Sequence, residues 1–322
     1  MKGLTKYIVR RILFMIPVFL GVTIITFIVS NAAGNPIDLI RVGLRRLTPE
    51  LLAALEQYYH IDKPIYIRYL YWIWDLFHFD LGVSLSGTRV IDRIGPWVGT
   101  TLELQIPAIL ISLGLGIPIG VYSAVHQYSK GDMAMTTLAL FGYSMPTFWL
   151  GLMGIIVFSL NLGWLPSAGA RGLIRTWWGS EIGDILAHLI LPLTVLVYVQ
   201  MATFVRLIRG NMLQVLREDY ILAARASGLS ERSVIYKHAL RNAITPIVTV
   251  VGLYFGSALA GAPGLETTFS WPGLGYQFVQ AAFSLDIPLI AGITVIVTLM
   301  LMFANLLTDL AYVLIDPRIR LT

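Results

Sequence analysis

Cysteine is absent from the 322-residue sequence. Its absence excludes a disulfide framework and any metal site built on thiolates. Charged residues are also scarce, since Asp, Glu, Lys and Arg make up 13% of the chain and hydrophobic residues 57%. Together with a mean hydropathy of +0.75, this composition excludes an ordinary soluble globular domain.

The motifs of several enzyme classes are missing as well. The sequence holds no Gly-x-x-x-x-Gly-Lys-Ser/Thr phosphate loop, no His-Glu-x-x-His zinc motif and no Gly-x-Ser-x-Gly nucleophile motif. The five histidines are scattered, which favours isolated polar residues over metal ligands. We therefore predict no catalytic residue, no metal and no cofactor bound by this chain. Membrane topology explains the net charge of +5, so no nucleic-acid partner is predicted.

Long uncharged apolar runs dominate what is present. Six of them hold about 18 residues or more without Asp, Glu, Lys or Arg, at 12–29, 104–125, 133–160, 185–205, 243–262 and 287–308. A helix needs about 20 apolar residues to cross the bilayer core, where every backbone group must be paired internally. The sequence therefore predicts an all-α integral membrane protein with six transmembrane helices.

The first run also has features of a signal peptide, because basic residues precede it and small residues at 30–34 follow it. Its uncharged part exceeds the ~7–15 residues of a signal core, so we predict a retained membrane anchor. Loop charges indicate the orientation. With the N-terminus inside, 14 Lys and Arg lie inside and nine outside, seven of the nine in one long loop. Both termini are therefore predicted to be cytoplasmic.

This topology divides the chain into four segments. They are a first transmembrane helix at 1–34, an extracytoplasmic helical segment at 35–96, a transmembrane domain at 97–310 and a cytoplasmic tail at 311–322. In the second segment, Thr48 and Pro49 predict a helix start, and 66–79 is amphipathic and rich in Tyr and Trp. This segment either lies against the outer membrane surface or lines a substrate entrance.

Small residues recur inside two of the apolar runs. The second run carries Gly114, Gly116, Pro118 and Gly120, and the fifth predicted helix carries Gly252, Gly256, Ala260 and Gly264 at four-residue intervals. Such spacing lets helix backbones approach closely. It indicates packing either within this chain or against a partner membrane subunit.

Ionisable residues are nearly absent from the predicted spans. Glu103, His188 and Asp309 all lie near the ends of apolar runs, where capping or interfacial roles are ordinary. An ion-coupled secondary transporter normally keeps a buried charge for its driving ion. The sequence therefore favours a helical pathway whose energy comes from a partner.

The largest charged island in a predicted cytoplasmic loop lies at about 206–242. From Met212 the sequence favours a helix through Ala226, with Gly228 as its terminating residue and Ser230 as the cap of a second short helix. Small side chains around Ala223 give this loop a flat surface. It is either a docking element for a cytoplasmic partner or a basic loop that only sets topology or touches anionic lipid.

The stretch 217–246 resembles the coupling loop, or EAA motif, of permease subunits in ABC importers. The resemblance rests on Ala223 and Ala224, on Gly228 and on Pro246, whereas the first Glu of the motif is Leu222 here. Further matches, in family order, indicate the dipeptide and oligopeptide branch: YIVRR at 7–11, LTPE at 47–50, DLGVS at 80–84, TLEL at 101–104, PTFWLG at 146–151, EDY at 218–220, HALRNA at 238–243, WPGLG at 271–275 and DPR at 316–318.

The resemblance implies the type I ABC importer transmembrane fold in the plasma or inner membrane. It implies half of a pathway for peptides, with oligosaccharides or nickel as alternative cargo and an ion-coupled secondary transporter as a more distant alternative. The implied partners are a second homologous permease, two cytoplasmic ATPases that hold ATP and magnesium, an extracytoplasmic solute-binding protein and membrane lipid.

Particular residues follow from the same resemblance. Contact with an ATPase is expected through Glu218, Asp219, Tyr220, Ala223, Ala224, Gly228 and Leu229, and helix packing or partner contact through Gly252, Gly256 and Ala260. No substrate-binding residue is assigned. The chain departs from the family at 262–265, where relatives have an aliphatic run, so the outer end of the fifth helix is expected to be remodelled.

Overall fold

The computed structural model describes residues 2–32, 34, 56–57, 60–172 and 177–315. Regular secondary structure within these ranges is helical, apart from one isolated bridge between Val83 and Arg89. The helix start predicted at Thr48 and Pro49 lies outside them. The chain divides into a first unit, residues 1–100 with 273–322, and a second unit, residues 101–272. The segment boundaries drawn from the sequence stay a prediction.

The α-helices follow one another along the chain in this order: α1 (Lys2–Ala32), α2 (Ile65–Phe77), α3 (Val90–Val125), α4 (Lys130–Ser144), α5 (Thr147–Gly154), α6 (Glu181–Val215), α7 (Asp219–Ala226), α8 (Glu231–Ser233), α9 (Leu240–Ala243), α10 (Thr245–Ala258), α11 (Pro263–Thr268), α12 (Leu274–Phe283) and α13 (Ile287–Ile315). A π-helical segment, Ile155–Asn161, continues α5, and another, Val234–Ala239, joins α8 to α9. A 3₁₀ turn spans Trp177–Gly179.

Four helices, α1, α3, α6 and α13, are each long and apolar enough to cross a membrane. Two further spans arise if each bent pair is counted as one, namely α4 with α5 and its π-helical end, bent by 105°, and α8–α9 with α10, bent by 52°. The predicted all-α membrane fold is confirmed, and six spans are reached on that count. The expectation of one helix per run is wrong for 133–160 and 243–262.

Proline explains both bends. Met145 is extended, with φ −86° and ψ 134°, because the ring of Pro146 disfavours helical geometry in the residue before it. Pro146 then caps α5. Pro246 lies in the first turn of α10, where its missing N–H costs nothing, but its ring would clash with the carbonyl of residue 242 in a continuous helix.

In the first unit, α1 packs along α13, and α2 packs against α1. Arg11 and Asp309 form an ion pair between α1 and α13. The Phe27 ring contacts Tyr69 and Trp72 of α2, each with ring centroids 5.5 Å apart. The predicted amphipathic stretch 66–79 is therefore confirmed as α2, one face of which meets α1.

In the second unit, α6 is the central helix and α3 crosses it at very short range. A Cβ atom added at Gly116 would lie 2.7 Å from Cβ of Phe204, and one added at Gly120 would lie 2.8 Å from Cβ of Ile208. Gly114 has no such neighbour within 4 Å. The small residues of the second apolar run thus serve packing within this chain, at two of the three glycines.

The fifth predicted helix differs from expectation at its outer end. Helix α10 ends at Ala258, and the chain turns through Gly261, whose φ is +75°. Ala260 lies in that turn and Gly264 in the separate helix α11. The prediction that Gly252, Gly256, Ala260 and Gly264 share one helix is therefore wrong for the last two, as the chain leaves the helical path where Pro263 follows.

Candidate functional site

The loop at 217–246 contains a short surface helix, α7, separated from α6. Helix α6 ends at Val215, and Glu218 is extended, with φ −73° and ψ 145°, before α7 begins at Asp219. The sequence predicts a continuous helix from Met212 to Ala226, and that prediction is wrong at this break. Good helix formers such as Leu222 and the alanines favour helix in α7. Glu218, however, has the extended backbone of an N-cap residue, so a separate helix begins after it.

Gly228 terminates α7, as the sequence predicts. Its φ is +76°, a left-handed conformation that glycine adopts without steric penalty. The Gly228 N–H donates to the Arg225 carbonyl at 3.0 Å and the Leu229 N–H to the Ala224 carbonyl at 3.4 Å. This bond pair is the Schellman arrangement, which satisfies two terminal carbonyls of the helix. It turns the chain sharply towards α8.

The second predicted cap is also confirmed. The Ser230 hydroxyl accepts a hydrogen bond from the Ser233 N–H at 3.4 Å, at the start of α8. An ion pair with Arg225 Nε 2.9 Å from Glu231 Oε1 spans the turn from α7 to α8. Because both side chains are largely exposed, this pair fixes a local geometry and contributes little stability.

One fully buried side chain, Ile221, anchors α7 to the protein. It packs in the core of the second unit, a cluster that includes Met212 of α6, Val234 and Ile247 of α10. Burying a side chain of this size stabilises its attachment by about 1.5–3 kcal/mol. Ile221, in the first turn, is thus the one fully buried side chain that α7 contributes to this core.

Two hydrogen bonds hold the short helix α9, one from α7 and one from α6. The Asn242 side-chain amide donates to the Tyr220 hydroxyl at 2.7 Å. The Asn211 amide of α6 donates to the Ala243 carbonyl at 3.1 Å. Helix α7 therefore contacts α9, the short helix just before α10, and α6 contacts α9 too.

Beside the exposed Tyr220 and Leu222, one face of α7 carries only small side chains. Ala223, Ala226, Ser227 and Gly228 are exposed, and no atom lies within 4 Å of the position that a Cβ of Gly228 would take. Large side chains normally cover a solvated helix. A face of small side chains therefore leaves room for a partner surface to approach the backbone.

The structure brings the predicted coupling residues together on this one loop. Exposed among them are Glu218, Asp219, Tyr220, Ala223, Gly228 and Leu229. Ala224 differs, since it is half-buried and packs against the apolar core. Of the predicted packing residues, Gly252 and Gly256 are buried in α10 and Ala260 is partly buried beyond its end. The functional role of every residue in both sets stays a prediction.

Groups of three or more His, Asp or Glu able to hold a metal ion are absent from the ranges that the structure describes. Buried acidic residues occur singly, each with hydrogen bonds from its own surroundings. Asp184, for example, accepts from the backbone N–H of Gly172 at 2.6 Å and of Trp177 at 3.0 Å.

Comparisons with known proteins decide the family. Residues 116–321 match the family described as "Binding-protein-dependent transport system inner membrane component". The chain belongs to this family. The matched region runs from within α3 and contains α7 and the whole 217–246 loop.

Two relatives of this inner-membrane component match over nearly its full length. The oligopeptide transport system permease protein AppB of Bacillus subtilis (strain 168) is 40% identical over 323 residues, which cover 98% of this chain and 99% of the relative. The dipeptide transport system permease protein DppB of Escherichia coli (strain K12) is 42% identical over 335 residues, 98% of each chain. The predicted resemblance to dipeptide and oligopeptide permeases is confirmed.

A solved chain supports the fold of this inner-membrane component. A chain from the inward-facing MetNI methionine ABC transporter superposes with a TM-score of 0.53 at 15% sequence identity, covering 70% of this chain and 96% of that one. The predicted type I importer transmembrane fold is therefore confirmed. The protein is a multi-pass component of the inner membrane, as predicted.

Sequence reasoning missed an ion pair that joins α4 to α6. Arg209 of α6 donates through Nε and Nη2 to the two carboxylate oxygens of Asp132, at 2.8 and 2.9 Å. Asp132 is buried and also accepts from the Tyr128 N–H and the Thr136 hydroxyl. The two residues lie 77 positions apart; the sequence counts Arg209 among the charges of a cytoplasmic loop and gives no sign of a partner for it. Only the packing of α4 on α6 brings them together.

Proposed function

We propose that this chain is a permease subunit that forms half of the translocation pathway of an ABC importer for peptides. The single observation that carries the coupling role is α7: a helix anchored by buried Ile221 that presents a flat face of Ala223, Ala226 and Ser227 on the side predicted to be cytoplasmic. The peptide cargo is supported by the oligopeptide and dipeptide permeases that match this chain along its length.

The complete transporter contains, in this proposal, a second homologous permease, two ATPases and an extracytoplasmic binding protein. The chain supplies no nucleotide chemistry of its own, because its sequence lacks a phosphate loop. ATP acts on it only through contacts with a partner. Such a partner shifts the permease between inward- and outward-facing states by binding one of them more tightly.

The contacts of α7 support a path for that shift. Movement of α7 by an ATPase would reach the core through Ile221 and the start of α10 through the Tyr220 hydroxyl and the Asn242 amide. Helix α10 is bent by 52° from the preceding segment. A bend of this kind is a place where one helical arm can change direction without breaking the other.

Ala223→Glu tests the docking role. A charged side chain on the flat face should exclude the partner groove while leaving the fold intact, because Ala223 is exposed. The chain would be purified gently with the proteins that accompany it, and substrate-stimulated ATP hydrolysis would be measured after reconstitution. We expect loss of ATPase co-purification or of stimulation.

The matched control is Ala168→Glu, an exposed alanine in the loop predicted to lie outside. It adds the same charge away from α7 and should leave assembly and stimulation unchanged. If Ala223→Glu assembles and responds to substrate like the parent protein, the docking role is wrong. A loop that only sets topology or contacts lipid would give that result.

A further inference from the structure

The first unit contains a cavity at the ends of α1 and α13 that are predicted to be extracytoplasmic. Its volume is about 90 Å³, several times the space that one water molecule needs. The wall consists of the last turns of α1, one face of α2, the turn at 80–82, the first turns of α13 and His60, whose ring stacks on Tyr71 at 4.0 Å. The aromatic stretch at 66–79 is predicted either to lie against the outer membrane surface or to line a substrate entrance, and a cavity here favours the second.

Helix α2 contributes four side chains to the cavity, namely Arg68, Tyr71, Trp72 and Asp75. Their positions, i, i+3, i+4 and i+7, lie on one face of a helix. The arginine and the aspartate are two helical turns apart, about 10 Å along the helix axis. The face therefore presents a cation at one end, an anion at the other and two aromatic rings between them.

Neither charge has a partner in the described part of the chain. Arg68 Nε is buried and donates no hydrogen bond, and the Arg68 guanidinium forms no ion pair there. The Asp75 carboxylate likewise makes no hydrogen bond or ion pair with a described residue. Elsewhere in this unit Arg11 pairs with Asp309, and Arg93 donates to Ser84 at 2.9 Å. The cavity is thus lined by two partly buried charges that have no hydrogen-bonding or ion-pair partner among the described residues.

The surroundings of the two groups agree with this geometry. Burial lowers the pKa of Arg68. Burial, together with the nearby Asp80 carboxylate, raises the pKa of Asp75 against the smaller opposing effects of His60 and His78. Partly buried charges without a counter-charge are unfavourable, and a ligand of opposite charge removes the penalty. Asp80, whose carboxylate accepts from the Gly82 N–H at 2.9 Å, adds negative charge at the Asp75 end.

We propose that this cavity binds a small zwitterion of amino-acid or dipeptide size. Its carboxylate would pair with Arg68, its ammonium group with Asp75, and Tyr71 and Trp72 would cover the atoms between. This inference rests on the proposed function, because it takes the cavity to face the side from which cargo arrives. A longer peptide would enter by one end only, since the cavity is too small to enclose it.

Dialanine is the probe, titrated calorimetrically into the full chain in lipid nanodiscs. Two blocked forms separate the charges: dialanine amide lacks the carboxylate, and N-acetyl-dialanine lacks the ammonium group. We expect saturable binding of dialanine and binding weaker by about tenfold for each blocked form, the loss typical of one charge-assisted hydrogen-bonding group.

Variants of the chain then identify which end binds where. Arg68→Gln should weaken the binding of dialanine about tenfold. It should bind dialanine amide as the parent protein does, because that ligand has no carboxylate to lose. Asp75→Asn should likewise weaken the binding of dialanine about tenfold, and it should bind N-acetyl-dialanine as the parent protein does, because that ligand has no ammonium group to lose. Arg171→Gln and Asp92→Asn, exposed charges outside the cavity, are the matched controls. Ala291→Leu fills the cavity without changing charge and should abolish binding.

Several results would overturn the proposal. One is that the parent protein does not bind dialanine. Another is that Arg68→Gln and Asp75→Asn bind dialanine with unchanged affinity. A third is that the blocked forms bind as tightly as dialanine. Binding that is lost in nanodiscs containing anionic lipid, with no response to the blocked forms, would assign the cavity to a lipid headgroup instead. Each variant is checked for a single symmetric gel-filtration peak, so that misfolding is not read as lost affinity.

Uptake by the reconstituted transporter separates this inference from the proposed function. ATP-dependent peptide uptake without dialanine binding to the cavity would refute the site and leave the importer assignment intact. Dialanine binding without ATP-dependent uptake in any assembly would refute the importer assignment and leave the site.

Discussion

The side-chain amide of Asn242 lies 2.7 Å from the hydroxyl of Tyr220. This bond joins the first turn of α7 to the residues just before α10, across 22 positions of sequence. Ile221, the next residue, is buried in the core. Two neighbouring residues thus attach α7 in two ways, one through an apolar contact and one through a polar contact with the base of a membrane helix.

Tyr220→Phe should separate coupling from stability. The hydroxyl is lost and the ring kept, so the free energy of unfolding should fall by only about 0.5–1.5 kcal/mol. Substrate-stimulated ATP hydrolysis in the assembled transporter should fall more, because α7 loses its polar contact with the α10 base. Tyr236→Phe is the control, since Tyr236 is exposed and its hydroxyl makes no hydrogen bond with any described residue. Equal stimulation in both variants would contradict a coupling role for the bond.

Arg209→Gln should strongly destabilise the second unit. It leaves the buried Asp132 carboxylate without its bidentate partner, and breaking a buried pair from one side costs about 3–5 kcal/mol. Thermal unfolding in detergent measures the loss.

The exposed pair of Arg225 and Glu231 provides the comparison. Glu231→Gln should cost less than about 1 kcal/mol, because water screens both charges. Similar melting temperatures for Arg209→Gln and Glu231→Gln would show that burial of Asp132 does not govern its ion pair.

Gly120→Ala should loosen the packing of α3 on α6. The added Cβ would lie 2.8 Å from Cβ of Ile208 and 3.1 Å from the Val205 carbonyl oxygen, so the helices must separate, at a cost of about 1–3 kcal/mol. Gly114→Ala is matched in helix and chemistry but meets nothing within 4 Å. It should be neutral or stabilise by about 0.5–1 kcal/mol. Thermal unfolding of both variants decides the matter, and the prediction fails if Gly114→Ala is the less stable.

Gly228→Ala tests conformation without crowding. No atom would contact the new methyl group, but a left-handed φ of +76° costs a residue with a Cβ about 1–2 kcal/mol. Gly228→Asn should retain more stability, since asparagine tolerates this conformation. If alanine is tolerated as well as asparagine, the α7 end does not depend on its left-handed residue.

Sequence reasoning reached the features that depend on local chemistry. The caps at Gly228 and Ser230 and the amphipathic helix α2 each depend on residues within a few positions of one another. Features formed by distant residues were not found, such as the pair of Asp132 with Arg209.

Local breaks were also missed where apolar composition continued through them. The run at 133–160 is uncharged throughout, yet Pro146 divides it, and Glu218 restarts a helix that composition alone would extend. Hydropathy reports which residues avoid water, but the direction of the backbone depends on proline rings and cap conformations. The prediction that Ala260 and Gly264 continue the helix beyond Ala258 is wrong for the same reason.

The pairing of α1 with α13 has a consequence for the order of synthesis. Helix α1 emerges first, yet its partner begins at Ile287, and at ~5–20 residues per second the interval is on the order of 10 to 50 seconds. During that time Arg11 lacks its ion-pair partner, and the apolar side chains of α1 that will face α13 are in the membrane without that helix. Lipid or an insertion factor must shelter them until the chain is nearly finished, whereas the second unit can assemble from a continuous stretch in the meantime.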